Sequence, residues 1–142
     1  MILDKQGELS NAQLVTASAA SVNQIDQGPP AYTGNSRGTN AGMIFFNIDT
    51  DFTAAGAATL QVALRSSASP DMSSPKIHLY TPAVPVASLK RGQSLRGTGL
   101  QLPIPEDTLR YVDVSYIVGT GPFTAGAISA HHTLSTPNSW GA

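Results

Sequence analysis

The chain has 142 residues, enough for one domain with a sizeable core and too few for two. Lys and Arg number 8 and Asp and Glu 9, a net charge of -1, which argues against nucleic-acid binding by phosphate neutralisation. There is no cysteine, so disulfides and thiolate metal sites are excluded, as suits assembly in a reducing cytoplasm. The start, Met1 to Lys5, lacks a basic segment followed by an apolar one, so no signal peptide is expected. No run approaches the roughly 18–20 apolar residues of a membrane span.

Taken in order, residues 1–12 read as an N-terminal arm carrying Ile2, Leu3 and Leu9 among polar residues. Short strands are predicted at 13–17 and 21–26, while Ser10 to Ala20 has no apolar face at helical spacing. Gly28-Pro29-Pro30 opens a long loop that runs to about Gly42. Residues 43–48, MIFFNI, are apolar on both faces, as in a covered strand, and Asp49-Thr50-Asp51 reads as a turn. In 59–65, Leu60, Val62 and Leu64 alternate with polar residues, the period of a half-buried strand.

Pro70, Pro75, Pro82 and Pro85 punctuate the middle around a short strand at 77–80. Lys90, Arg91 and Arg96 form a basic cluster in 87–97. A strand at 99–102 is followed by an extended turn between Pro103 and Pro105. Residues 109–118 place Val112, Val114, Tyr116 and Val118 on one face and Tyr111, Asp113 and Ser115 on the other. Residues 127–134 align Ile128, Ala130, His132 and Leu134. A C-terminal arm, 135–142, ends in Trp140, a residue type common among interface anchors.

Two segments echo each other. FTAAGAATLQV (52–62) and FTAGAISAH (123–131) both run from Phe-Thr-Ala through Gly-Ala into an alternating strand. They predict two equivalent hairpin turns, one per sheet. About eight short strands joined by Gly and Pro predict a single all-β domain over 1–142, a two-sheet antiparallel sandwich or jelly roll.

The sequence offers no constellation for chemistry, and neither catalysis, a metal nor a cofactor is expected. His131 and His132 are adjacent on a strand, so their side chains point to opposite faces and do not chelate one ion. Asp49 and Asp51 lack the further oxygen ligands of a calcium loop. Glu106-Asp107 are sequence neighbours in a turn, not carboxylates facing each other across a sugar. Ser73-x-x-Lys76 is broken by Pro75, and no Gly-x-Ser-x-Gly elbow or P-loop occurs. A minimal hydrolase would have to gather His78 or His132 with Asp113 or Glu106.

Charged residues form only 12% of the chain, about half the usual share of roughly 25%. The deficit is filled by small neutral residues, which cost little entropy to immobilise and suit a surface covered by a partner. Expected contact residues are Ile2, Leu3, Leu9, Lys90, Arg91, Arg96 and Trp140. The alternative is a carbohydrate-binding jelly roll, with aromatics on a concave face drawn from Tyr32, Tyr80, Tyr111, Tyr116 and Trp140.

Residues 1–26, 51–64 and 109–130 resemble the cement (decoration) proteins of short-tailed bacteriophages of the Bordetella-phage type. The resemblance is carried by Leu3-Asp4-Lys5, Asn23 to Asp26, Phe52 to Ala57 and Thr120 to Gly126. It implies a jelly roll on the outer capsid surface, assembled in the host bacterial cytoplasm, that bridges major capsid protein subunits. It further implies self-association as a homodimer, with a trimer as the alternative, and no nucleic acid, membrane or catalysis.

Overall fold

The computed structural model describes residues 7–26, 43–91, 102–103 and 108–133. Along the chain lie β1 (Glu8–Leu14), β2 (Ala19–Ala20), β3 (Ile25–Asp26), β4 (Met43–Thr53), β5 (Thr59–Ser67) and β6 (Lys76–Tyr80). They are followed by β7 (Val84–Pro85), a 3-10 turn Val86–Ser88, β8 (Leu102–Pro103), β9 (Tyr111–Gly119) and β10 (Ala125–Thr133). One sheet has the order β1-β10-β4-β8; the other has the order β2-β9-β5-β6, with β3 also on β9 and β7 also on β5. The ladders are antiparallel. The pairing is nested: the first strand pairs with the last, β2 and β3 with β9, β4 with β8 and β5 with β6. That is the order of a jelly roll.

Alternation places the core as expected on the long strands. Ile44, Phe46 and Ile48 of β4 meet Leu60, Val62 and Leu64 of β5 and Val112, Val114 and Tyr116 of β9 between the sheets. Each such side chain stabilises the fold by roughly 1.5–3 kcal/mol relative to exposure. Tyr116 meets Phe46 edge-on, with centroids 6.4 Å apart, and its hydroxyl lies 2.7 Å from Ser10 Oγ. The phenol is thereby buried with a partner, and desolvation pushes its pKa well above the usual tyrosine value.

Four expectations change. The strand at 13–17 is Glu8–Leu14, because register shifts flank Ser10 and break its alternation, so that Leu9 and Ser10 are both buried. Ala12 takes a left-handed φ of 48 within this bulge, and its N–H donates to Ser129 Oγ at 2.9 Å. The strand at 21–26 splits into β2 and β3. Asp49-Thr50-Asp51 is no turn: β4 runs through it to Thr53, with Ser129 Oγ donating to Asp49 and the Arg91 N–H donating to Asp51 Oδ1. Pro103 lies not in a turn but in β8, a sheet edge where its missing N–H costs nothing.

The two Phe-Thr-Ala segments come together, but not as one hairpin per sheet. Each crosses between the sheets at the same end of the sandwich, one from β4 to β5 and one from β9 to β10. The Thr124 N–H donates to the Thr53 carbonyl at 2.7 Å, and the two hydroxyls are also 2.7 Å apart. Phe52 and Phe123 pack edge-to-face with centroids 4.8 Å apart. Gly126 makes this contact feasible: its φ is +145, and a Cβ there would lie 2.4 Å from the Phe52 ring.

Candidate functional site

The structure divides the predicted contact residues. Leu9 does not belong to a docking arm: it is 0% exposed, a core residue of β1, because the bulged strand turns it inward. Ile2, Leu3, Arg96 and Trp140 lie outside the described residues, as do Tyr32, Glu106 and the C-terminal arm. Lys90 and Arg91 are exposed and stand on a fixed platform at the crossover end. Leu89 just before them is buried, and its carbonyl accepts the Phe52 N–H at 3.0 Å. The Arg91 N–H in turn reaches Asp51 Oδ1 at 2.6 Å. Neither basic side chain has an ion-pair partner among the described residues.

At the opposite end lies an open cleft of about 780 Å³, which alternation did not foresee. Its walls are the segment 20–24 beside β9 and the β5–β6 hairpin at 70–72, and Arg65 and Asp113 line it. These two residues sit opposite each other on β5 and β9. Arg65 Nε and Nη2 donate to the two Asp113 oxygens at 2.9 and 2.6 Å. Burial pushes the Asp113 carboxyl above its usual pKa, and the bonds from Arg65 oppose that rise only in part. Asp71 is held the other way: Ser73 donates to its carboxylate and lowers its pKa. Alternation puts Asp113 on the polar face of β9. The missing signal was cross-strand register, which makes that face a paired floor.

The candidate chemical groups are dispersed or occupied. His78 Nε2 lies 2.6 Å from Ser66 Oγ, the spacing of a nucleophile and its base. Ser66 is 0% exposed, however, and its oxygen also accepts the Leu109 N–H at 3.0 Å, so a substrate has no approach to it. Asp113 is engaged by Arg65, and His131 lies 3.9 Å from Glu8. Among the described residues no three His, Asp or Glu side chains gather as a metal site, and no helix is long and apolar enough to cross a membrane. Among the described residues no aromatic side chain lines the cleft: Tyr116 is in the core and Tyr111 lies under the Arg110 guanidinium.

Among the described residues, four of the five exposed large apolar side chains lie on two flanks; the fifth is Leu109. Leu14 on β1 and Val22, 73% exposed, stand on the side where β1 and β2 edge their sheets. Gln13 links this side by donating to the Ala20 carbonyl at 2.8 Å and accepting the Val22 N–H at 3.0 Å. No charged residue occurs between Glu8 and Asp26. On the far edge of the second sheet, β6 exposes Ile77 and Tyr80, the latter by 57%. Among families of known proteins, the model described as Bbp16 matches residues 9–132. No curated protein matches the chain.

Proposed function

The chain belongs to the Bbp16 family, whose name points to a Bordetella phage protein, and from that premise we propose a structural virion protein that cements the outer surface of a phage capsid. It bridges major capsid protein subunits and stabilises the shell against internal DNA pressure. The observation that carries this role is the pair of exposed apolar flanks, Leu14 with Val22 and Ile77 with Tyr80, on opposite edges of a domain poor in charge. A bridging molecule needs two separate faces, and interface cores are depleted of charge.

The mechanism is linkage: a ligand that binds the assembled shell and not its separated parts shifts the balance toward the shell. Self-pairing as a homodimer, or else as a trimer, lets one unit hold two subunits. Lys90 and Arg91 meet an acidic patch on the shell, and their anchored backbone lowers the entropy lost on contact.

Purified protein mixed with undecorated capsids tests the proposal by co-sedimentation and capsid melting. The expected outcome is saturable binding with a raised capsid melting temperature. Lys90→Ala combined with Arg91→Ala should weaken binding and reduce its dependence on salt. Absence of both co-sedimentation and a melting shift would sink the cement role.

A further inference from the structure

We infer that Gln13 is a positioning residue: it clamps the backbone of residues 20–22 so that Val22 meets the shell as a fixed apolar knob. The inference rests on the cement reading, which gives this flank its partner, a shell subunit. β1 and β2 edge different sheets, so no ladder joins them. Gln13 spans the seam with a single amide. Its Nε2 donates to the Ala20 carbonyl at 2.8 Å, and its Oε1 accepts the Val22 N–H at 3.0 Å. Oε1 also accepts from Ser10 Oγ at 2.7 Å, and that hydroxyl lies 2.7 Å from the buried Tyr116 oxygen. The amide is thus tied to the core on one side and to the seam on the other.

Residues 21–24 lie outside any strand, yet three successive N–H groups there have fixed acceptors. The Ser21 N–H donates to the Val114 carbonyl at 2.8 Å, the Val22 N–H to Gln13, and the Asn23 N–H to the Leu9 carbonyl at 2.9 Å. Of these acceptors Gln13 alone is a side chain, so it is the one that a substitution removes. The residue held at the centre carries an apolar side chain 73% exposed. The two seam bonds are themselves exposed, so water can replace them and they add little to stability. Their effect is to remove motion from Val22 before contact, and a β-branched side chain has few rotamers left to lose. Less entropy is then lost when the interface forms.

Two measurements on the full chain test this. In the free protein, hydrogen exchange should find the Val22 amide protected. Gln13→Ala should speed its exchange about tenfold, with the Leu60 and Val62 amides and the urea midpoint little changed. On undecorated capsids, Val22→Ser should weaken binding about tenfold and Gln13→Ala about three- to fivefold. Gln13→Ala should add nothing to Val22→Ser, because it acts through that side chain. It should add its full factor to Lys90→Ala combined with Arg91→Ala, which share no hydrogen-bond partner with Gln13 among the described residues. An unprotected Val22 amide in the wild type, a lowered urea midpoint in Gln13→Ala, no loss from either single variant, or additivity with Val22→Ser would overturn the clamp and leave the cement role standing. Val22→Ser that disrupts self-association and spares capsid binding would assign the flank to a sister copy and likewise overturn it. Wild-type protein that binds no capsid overturns both.

Discussion

The two ends of the sandwich solve the same problem in opposite ways. At the crossover end the chain passes twice between the sheets, and the passages lock through Phe52 on Phe123 and Thr53 on Thr124. At the hairpin end the chain turns within one sheet and leaves an open cleft with a charged pair in it. Apolar interlocking gives stability and a rigid base for Lys90 and Arg91. The polar end gives up packing and holds the Arg65–Asp113 pair in the cleft. Apolar packing therefore dominates one end of the same long strands and a charged pair the other.

Substitutions at the two ends should separate these roles. Phe52→Ala should have the largest effect, a loss of about 3–5 kcal/mol from the cavity and the broken ring pair, read from urea unfolding. Gly126→Ala should cost about 2–4 kcal/mol, since its Cβ collides with the Phe52 ring at an unfavourable φ. A loss below about 1 kcal/mol in either would mean that the crossover end is not the stabilising one. Between the ends, Tyr116→Phe should cost about 1 kcal/mol, because the Ser10 hydroxyl keeps its bond to Gln13.

At the cleft, Asp113→Asn should act through pH. The folded pKa of Asp113 is raised, so the native state binds the proton more tightly than the unfolded chain. Its contribution is therefore full below the ordinary aspartate range and is lost as pH rises through the raised value. Asp113→Asn should gain melting temperature relative to wild type across that window and level off above it. A constant difference at all pH values would show that Arg65 compensates the burial fully. Asp71→Asn should change the urea midpoint least, because the side chain is exposed.

Several features were legible because they are local. The alternation in 59–65 and 109–118 marks β5 and β9 to within two residues at each end, since only one face of each meets the core. Leu9 does not read as core from the sequence because β1 is bulged, and a bulge erases the period that identifies a strand. The Phe-Thr-Ala echo was visible as a pattern, yet its partner was not: Phe52 and Phe123 are far apart in sequence and meet only after both crossovers form. The cleft was illegible for a similar reason. Arg65 and Asp113 look like ordinary outward residues until register sets them opposite each other.

The sequence by itself determined the class: all β, without thiols, poor in charge, and carrying the pattern of the Bbp16 family. Composition and period-two alternation are short-range properties, and neither needs a fold to be read. Only the tertiary structure decided which exposed residues stand on fixed supports, that Leu9 is core and that Lys90 and Arg91 are anchored. It also decided that Arg65 and Asp113 face each other as an ion pair. Those outcomes depend on pairings between segments distant in the chain, and local sequence carries no term for them.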